Sequence, residues 1–403
     1  MVVRAVIVGG GIAGVSLAKV LAARGVAVTL LERTQQLCSG STWHAAGLVT
    51  RFAGSGKLKK LHVRSMELLT ELHAAERAGG GSIGLHTPGS LRLIEAGDAD
   101  RLREAHQHVA MARLYDTDAA LGTTLVSKAE VAALHPLLDV EAEGGVECAI
   151  WTPADGDVDP TMLTHALARL ARADGAELRL NSRATRAEPR RGGGFLVHTE
   201  TTTAAAGSAA AIDTAAATPA PLECDLLFNA AGLWSKRVGR ELLGIGFDAH
   251  PAFVIEHQYV VTEPSEAVAA AAAACADGRL PVLRDLAGSQ YIRQEGASRL
   301  LVGPYEADVA NAEQQLAWDG GPPESFGMEL FPGELERLEA NLLGAMARVP
   351  AFGEVGISSV TNGPTIWAAD ALPRVGATPV RGYFDFNTLT YGSIAHALLA
   401  MTY

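Results

Sequence analysis

Three glycines and one glutamate near the start of the chain have the types and spacing that hold a dinucleotide. Gly9, Gly11 and Gly14 form a Gly-x-Gly-x-x-Gly motif, and Glu32 follows it. Gly9 allows a tight turn, Gly11 lets the backbone approach a pyrophosphate, and Gly14 allows a strand and a helix to pack closely. A glutamate at this distance accepts hydrogen bonds from the adenosine ribose and disfavours the 2′-phosphate of NADP. These residues predict a dinucleotide site.

The elements around this motif are those that a dinucleotide site requires. A valine-rich run over 2–8 predicts a buried parallel strand, 15–24 has helical spacing, and 26–31 predicts a second strand. Together they span about thirty residues, the length of a βαβ crossover unit. The motif therefore lies where phosphates meet the N-terminus of a helix.

Another apolar strand, predicted over 225–229, ends in a turn of small residues. It runs into Ala230, Ala231 and Gly232, which let the backbone pass close to a bound cofactor. This pattern resembles the second glycine turn of FAD-dependent amine oxidases. It favours FAD over NAD as the dinucleotide.

The rest of the chain predicts a second, largely antiparallel sheet with peripheral helices. Its strand candidates are 254–262, 280–284, 290–293 and 299–302. Helices are predicted over 54–78, after the capping box Ser127–Glu130, from Pro160 to about 173, over 267–276 and over 334–347.

The predicted fold class is therefore α/β and α+β, with a discontinuous Rossmann-like FAD-binding domain and an antiparallel-sheet substrate domain. The FAD-binding domain is assigned to residues 1–85, 145–240 and 355–403, and the substrate domain to 86–144 and 241–354. Residues 199–221 are rich in Thr, Ala, Gly and Pro and are expected to form a low-complexity surface insertion.

Charge and cysteine content argue against several other functions. Lys+Arg 33 against Asp+Glu 45 leaves a net charge of −12, so no nucleic-acid partner is expected. The 4 cysteines are widely separated and form no Cys-x-x-Cys, and the run Asp155, Asp157, Asp159 is expected to form a turn and a helix cap. No metal site is therefore expected. No apolar run reaches the roughly 18–20 residues that a membrane helix needs.

Residues 39–48 have the sequence Ser-Gly-Ser-Thr-Trp-His-Ala-Ala-Gly-Leu. This segment resembles the corresponding part of the dimethylglycine dehydrogenase and sarcosine dehydrogenase family, within the D-amino-acid-oxidase-like FAD-dependent oxidoreductases. Further segments are similar to the family in the same order: 153–160, 229–235, 257–264, 291–296, 301–304, 362–364 and 370–373. The resemblance covers nearly the whole chain and implies a D-amino acid oxidase/glutathione reductase-like fold.

The resemblance implies FAD as the cofactor. The motif and the family segments together place FAD against Gly9, Gly11, Gly14, Glu32, Arg33, Ser41, Thr42, His44, Ala46, Gly47, Leu48, Ala231, Gly232, Trp234, Tyr391 and Gly392. In this family, the histidine of the Trp-His-Ala-Ala-Gly segment is bonded to the 8α-methyl of FAD. We therefore expect covalent attachment through His44, the alternative being a packed histidine beside Trp43.

The resemblance also implies a small N-methyl amino acid, dimethylglycine or sarcosine, as the substrate. An N-methyl C–H delivers hydride to flavin N5, and the resulting iminium yields formaldehyde. Tyr259 is the candidate that orients the amine or accepts its proton, with His257 on the same strand face. The arginine fork suits the substrate carboxylate, and we rank Arg293 first, with Arg51 and Arg284 as further candidates.

The chain departs from the family near its end. Many members carry a His-Ala-Gly-Gly-x-Gly turn beside the flavin ring, whereas the sequence after Tyr391 lacks the paired glycines. Many members also continue into a folate-binding domain, which we expect to be absent because the chain stops at Tyr403. Two alternatives stay open: oxidation of another secondary amine or amino acid, and a catalytically degenerate flavin-binding regulatory protein.

Two further predictions concern the electron acceptor and the location of the protein in the cell. The electron acceptor is either oxygen or an electron-transfer flavoprotein. Met1 stands directly before the first predicted strand, so neither a signal nor a transit peptide is expected. We predict a cytoplasmic protein, with the mitochondrial matrix as the alternative if the N-terminus is incomplete.

Overall fold

The computed structural model describes most of the chain. The described residues are 2–116, 121–142, 144–203, 211–212, 219–243, 252–305, 315–318, 320–368, 370 and 372–389. The predicted cofactor-binding residues Tyr391 and Gly392 lie outside these ranges.

The helices and strands alternate in a mixed order along the chain. In chain order, the strands are β1 (Arg4–Val8), β2 (Ala27–Leu31), β3 (Leu48–Val49), β4 (Ser90–Glu95), β5 (Thr124–Ser127), β6 (Val146–Thr152), β7 (Gly156–Asp157), β8 (Glu177–Arg179), β9 (Ser182–Pro189), β10 (Phe195–Thr203), β11 (Ala211–Ile212), β12 (Leu222–Cys224), β13 (Leu226–Asn229), β14 (Ala252–Thr262), β15 (Val282–Asp285), β16 (Gln290–Glu295), β17 (Arg299–Pro304), β18 (Gln315–Leu316), β19 (Ile357–Ala368), β20 (Arg374–Ala377) and β21 (Tyr383–Asn387). The α-helices are α1 (Ile12–Ala23), α2 (Gly56–Ala78), α3 (Ala99–Ala112), α4 (Lys128–Leu134), α5 (Pro160–Ala173), α6 (Ser235–Leu243), α7 (Glu266–Ala274), α8 (Glu339–Arg348) and α9 (Pro350–Gly353), and short 3₁₀ turns cover Gly232–Trp234 and Leu335–Leu338.

The first sheet carries the predicted dinucleotide unit. Its strand order is β20-β21-β13-β1-β2-β8, and the neighbours run parallel except for β20 with β21. Ala5–Val8 is buried throughout, the continuous apolar pattern of a parallel strand covered on both faces. Helices α1 and α5 pack together against this sheet. Asp159 caps α5 by accepting from the Met162 amide at 2.8 Å, as its predicted role requires.

The second sheet is large and, as predicted, almost entirely antiparallel. Its order is β18-β14-β17-β16-β15-β4-β6-β5, and β19 pairs with β14. The one parallel pair among these described strands is β15 with β4. Buried side chains such as Leu91, Leu283 and Val302 form its core. This sheet therefore has a hydrophobic core separate from that of the first.

The structure differs from the predicted boundaries in two places. Strands β6 and β19 fall within the segments 145–240 and 355–403 assigned to the FAD-binding domain, but both pair in the second sheet. Residues Thr199–Thr203, the start of the expected insertion, continue β10, because β-branched threonines suit a pleated strand. The positions 204–210 and 213–218 lie outside the described residues.

A short two-stranded sheet joins the two larger ones at the predicted site. Leu48 and Val49 of β3 pair with Asp157 and Gly156 of β7. The segment that contains His44 leads directly into β3, whose pairing with β7 anchors its end. Among helices within the described ranges, none has the length and apolarity that crossing a bilayer requires.

Candidate active site

The glycine motif forms a turn in which side chains have no room. A Cβ atom on Gly9, whose φ is +118°, would lie 2.4 Å from the Ala230 carbonyl oxygen. A Cβ on Gly14 would lie 1.9 Å from the Gly9 carbonyl oxygen. The first glycine therefore allows β1 to pass the end of β13, and the third lets α1 start directly beneath the strand.

The N-terminus of α1 is open to an anion. Its N-cap residue, Gly11, provides no capping side chain, and the first turn contains no acidic residue. The Thr42 hydroxyl accepts from the Ile12 amide at 3.2 Å. Free amide groups and the positive end of a helix dipole favour a phosphate at this position.

Glu32 lies at the end of β2 beside this turn. Its carboxylate accepts from the amides of Gly10 at 2.8 Å and Thr34 at 2.9 Å. Burial raises the pKa of Glu32, while these hydrogen bonds oppose the rise. Glu32 Oε1 also accepts from the Thr34 hydroxyl at 3.0 Å. Oε2, which accepts from Gly10, has a second lone pair with which it can accept a ribose hydroxyl.

A cavity extends from the glycine turn. It is lined by nine of the predicted cofactor-binding residues: Gly9, Gly11, Glu32, Arg33, Ser41, Thr42, Ala231, Gly232 and Trp234. The Arg33 guanidinium lies 4.2 Å from the centroid of the Trp234 ring, which holds both side chains at the wall. We call this space the nucleotide cavity.

A second cavity lies between helix α1 and the second sheet. It is lined by predicted cofactor residues of the His44 segment, namely His44, Ala46, Gly47 and Leu48. The two cavities share the lining residues Ile12, Ser41, Thr42, Thr365 and Leu389. The two cavities therefore adjoin each other between the glycine turn and the second sheet. We call the second cavity the substrate cavity.

His44 stands against the backbone of β19. A Cβ atom on Gly363 would lie 2.7 Å from Cε1 of His44 and 2.8 Å from its Nδ1. The Trp43 ring meets the imidazole edge-on, with centroids 5.4 Å apart. Burial, and secondarily the neighbouring His257, lowers the pKa of His44 to about 4. The imidazole is therefore neutral at pH 7 and keeps a nucleophilic lone pair.

The wall of the substrate cavity on the second sheet consists of polar side chains from separate strands. Arg284 on β15 is directly opposite Tyr291 on β16. The Arg284 guanidinium donates to the Tyr305 hydroxyl at 3.1 Å, and its Nε has no protein partner. His257 Nε2 lies 3.5 Å from the Tyr291 hydroxyl. All four side chains line the same cavity as His44.

Tyr291 and Tyr305 were not among the predicted site residues. Tyr291 lies two residues before Arg293, so alternation along the strand places both on the same face. That periodicity was the available signal for Tyr291. Tyr305 follows the end of β17, and its position becomes evident only from the pairing of β16 with β17.

Tyr259 and Arg293 line an adjoining open cleft and are separated from the substrate cavity by the His44 segment. Arg293 Nε donates to the Ala46 carbonyl at 3.0 Å, and its Nη1 lies 2.6 Å from Glu295. Burial raises the pKa of Tyr259. The structure thus brings His257 to the substrate cavity but places the other two beyond it.

Arg51, the second-ranked carboxylate candidate, is buried and paired elsewhere. Its Nη2 lies 3.3 Å from Asp116, and it is not among the residues that line the substrate cavity. Arg284, the third candidate, is the arginine of the three that lines this cavity.

The residues present fit a long dinucleotide cofactor. The glycine turn, the uncapped helix and Glu32 suit a pyrophosphate and a ribose, and the shared wall of the two cavities suits an extended molecule. These features define a dinucleotide-binding protein whose cofactor cavity ends against a second, antiparallel sheet.

The sequence pattern of the family described as FAD dependent oxidoreductase matches residues 4–398. The chain therefore belongs to this family, which confirms the predicted fold class and FAD as the cofactor.

Two relatives with established names are similar to this chain over nearly its whole length. The chain is 36% identical over 394 residues to mitochondrial dimethylglycine dehydrogenase from Mus musculus, covering 97% of this chain and 40% of that protein. It is 28% identical over 387 residues to mitochondrial sarcosine dehydrogenase from Mus musculus, covering 94% of this chain and 36% of that protein. The predicted resemblance is thus confirmed, and the chain spans about two-fifths of the length of these relatives.

Solved structures show the same fold. The crystal structure of L-proline dehydrogenase from P. horikoshii superposes with a TM-score of 0.78 at 20% identity, covering 99% of this chain and 91% of that one. The likeness in fold covers nearly the whole chain.

Proposed function

We propose that this protein uses FAD to oxidise a small N-methyl amino acid, with release of formaldehyde. The observation that carries the proposal is the group Arg284, Tyr291 and His257 at the end of the cofactor space. A buried guanidinium and two proton-transferring groups are the side chains that an amino acid with a carboxylate and a reactive amine requires.

Arg284 is assigned to the substrate carboxylate. It is 7% exposed, it lines the substrate cavity, and its Nε lacks a protein partner. Tyr305 occupies one guanidinium nitrogen and fixes the orientation of the fork. A carboxylate bound here gains charge-assisted hydrogen bonds in a site from which water is largely excluded.

Tyr291 and His257 are assigned to the amine. The amine must be neutral for its lone pair to assist loss of hydride from the N-methyl carbon. The Tyr291 hydroxyl and His257 Nε2, 3.5 Å apart, offer an acceptor for the amine proton and a second group behind it. The predicted role of Tyr259 thus passes to Tyr291.

FAD, when bound, supplies the hydride acceptor. The glycine turn, Glu32 and the N-terminus of α1 would hold its dinucleotide part. His44 would provide the attachment atom, because its imidazole is neutral and lies beside the substrate cavity. Gly363 leaves the space that the imidazole occupies.

The test is anaerobic mixing of the flavin-loaded protein with dimethylglycine, sarcosine, glycine and a D-amino acid. We expect bleaching of the flavin and formaldehyde with the two N-methyl substrates only. Bleaching by glycine or the D-amino acid without formaldehyde would assign a different amine substrate. No bleaching by any of them would support the degenerate regulatory alternative.

The same preparation tests the other parts of the proposal. Acid precipitation should leave yellow flavin in the pellet, and His44→Ala should move it to the supernatant. Hydrogen peroxide formed in air would identify oxygen as the electron acceptor. Turnover that requires an electron-transfer flavoprotein would identify the other predicted acceptor.

A further inference from the structure

Gly303 on β17 leaves a space that the side chain of a neighbouring strand fills. It is the register partner of Tyr291 on β16, and the two residues of such a pair face the same side of the sheet. A Cβ atom on Gly303 would lie 2.3 Å from the Tyr291 hydroxyl oxygen and 2.4 Å from its Cζ. The phenol of Tyr291 therefore lies across the backbone of β17.

This position brings together two groups whose strands are not neighbours. Strand β17 lies between β16, which carries Tyr291, and β14, which carries His257. Strands that are two apart in a sheet are separated by roughly 9–10 Å, so upright side chains on them do not meet. The Tyr291 hydroxyl nevertheless lies 3.5 Å from His257 Nε2. It reaches this distance because the strand that it crosses has no side chain at Gly303.

The space at Gly303 is required by Tyr291 and not by the backbone. The φ angle of Gly303 is not positive, so the chain can hold an L side chain at this position. The three atoms nearest to its Cβ position all belong to Tyr291. Tyr291 is 2% exposed, and its ring contacts that of Tyr305 with centroids 5.5 Å apart. An added methyl group would therefore push against an enclosed phenol.

We propose that Gly303 is a positioning residue for proton transfer from the substrate amine; this inference rests on the proposed function. It allows the Tyr291 hydroxyl to lie beside His257, and this pair accepts the proton of the amine nitrogen. The electron pair of the N-methyl C–H bond leaves as hydride to FAD, the oxidant of the proposed function. The substrate carboxylate stays with Arg284, which does not depend on Gly303.

The first test compares Gly303→Ala with the wild type, both loaded with flavin, using the N-methyl amino acid that bleaches the flavin. Ordinary contact at 3.4 Å requires the Tyr291 hydroxyl to move by about 1 Å, which should lower kcat/KM roughly 100-fold at neutral pH. The loss should narrow as pH rises towards the pKa of the substrate amine, because the substrate then arrives neutral. A loss of the same size at every pH would overturn the proposal.

A ligand without an amine separates proton transfer from the shape of the cavity. Methylthioacetate has the carboxylate and a methyl group, and its binding is read from the flavin spectrum. Its Kd in Gly303→Ala should stay within about twofold of the wild-type value. The control is Gly356→Ala, whose Cβ has no neighbour closer than 3.7 Å and which should change neither measurement. Weakening of methylthioacetate by as much as kcat/KM falls would show an effect on cavity shape only and would overturn the proposal.

A stability cycle tests the contact even where Gly303→Ala folds poorly. Tyr291→Leu removes the ring atoms that the added methyl group would meet. Gly303→Ala should therefore lower Tm by several degrees in the wild type and hardly at all in Tyr291→Leu. A decrease of equal size in both backgrounds would show that Gly303 acts through another neighbour and would overturn the proposal.

The cycle also distinguishes this inference from the proposed function. Turnover of an N-methyl amino acid, with equal Tm decreases in both backgrounds, would support the function and overturn the role of Gly303. No bleaching of wild-type flavin by any amine would overturn the proposed function and the role in proton transfer, and a Tm decrease confined to the wild-type background would then still support the contact with Tyr291.

Discussion

The nucleotide cavity and the substrate cavity differ in the kind of protein groups that form them. The nucleotide cavity is formed by backbone: glycines that fit beneath a strand, an uncapped helix terminus and a turn of small residues. The substrate cavity is formed by long side chains that meet from separate strands of the second sheet. Recognition by backbone depends on short sequence segments, whereas recognition by side chains depends on how strands pair.

The charges of the two regions differ in the same way. At the glycine turn, positive potential comes from helix α1, whose first turn has no cationic residue, although Arg33 lines the cavity further along. In the substrate cavity it comes from the guanidinium group of Arg284. A substitution at the glycine turn should therefore act sterically, and one at Arg284 electrostatically.

The largest expected effect is steric. Gly14→Ala places a methyl group 1.9 Å from the Gly9 carbonyl oxygen, so strand and helix must separate. We expect protein without flavin, or no folded protein, as measured by the flavin-to-protein ratio and Tm. The matched control is Gly25→Ala, where φ is +79° but no atom lies within 4 Å; it should lose only about 1–2 kcal/mol and retain flavin. Full flavin content in Gly14→Ala would contradict the steric account.

The next effect is electrostatic and belongs to the substrate cavity. Arg284→Met should raise KM roughly 100-fold, since losing a buried charged partner costs about 2–5 kcal/mol, and it should leave flavin content unchanged. Arg293→Met, which removes the bond to the Ala46 carbonyl, is the comparison. Steady-state kinetics and flavin content of both variants decide the assignment. A larger increase in KM for Arg293→Met than for Arg284→Met would instead assign the substrate carboxylate to Arg293, as the sequence predicted.

Acid should affect the contributions of two buried histidines and of Glu32 to stability with opposite sign. Burial lowers the pKa of His62 and of His135 to about 4, so between pH 6.5 and 4 the unfolded chain binds protons that the native chain does not. Stability present above pH 6.5 is therefore lost as pH falls, by about 1.4 kcal/mol per pH unit for each histidine. Burial raises the pKa of Glu32, so its contribution improves as pH falls.

Urea unfolding at several pH values measures this dependence. His135→Phe should reduce the slope of unfolding free energy against pH by about 1.4 kcal/mol per unit. An unchanged slope would show that His135 does not remain neutral in the native state.

The smallest effect lies at the junction of the two regions. Gly363→Ala introduces a Cβ 2.7 Å from Cε1 of His44, and the ring must move until this distance reaches the 3.4 Å of ordinary van der Waals contact. Since misplacement by 1 Å costs roughly 100-fold in rate, flavin attachment should slow by roughly tenfold. Gly356→Ala, whose Cβ has no neighbour closer than 3.7 Å, is the control, and the acid-precipitable flavin fraction is the readout. Equal attachment rates in the two variants would remove the steric role of Gly363.

The comparison also explains what the sequence could predict. The glycine motif and Glu32 were predictable because their determinants lie within one βαβ unit. The long helix α2 and the cap at Asp159 were predictable for the same reason. Local patterns also indicated the strands of the second sheet and its antiparallel pairing.

The arrangement of the substrate cavity was not predictable in the same way. Arg293 and Tyr291 share a strand face, and alternation does not tell which of them lies on the cofactor side of the His44 segment. The meeting of Arg284 with Tyr291 depends on the register of β15 with β16, and the position of β15 depends on its parallel pairing with β4, a distant segment of the chain. These pairings are set by the packing of the whole sheet.

The order in which the chain enters the two sheets affects how this fold can change during evolution. It leaves the first sheet for the second and returns twice, so each sheet is assembled from separated stretches of sequence. No single break in a gene yields one complete half. The second sheet comes from two separate stretches of the chain, β4 to β6 and β14 to β19. Exchanging it by recombination would therefore require four correct junctions in one event. New substrates are therefore acquired more readily by point substitutions on the second sheet than by exchange of a module.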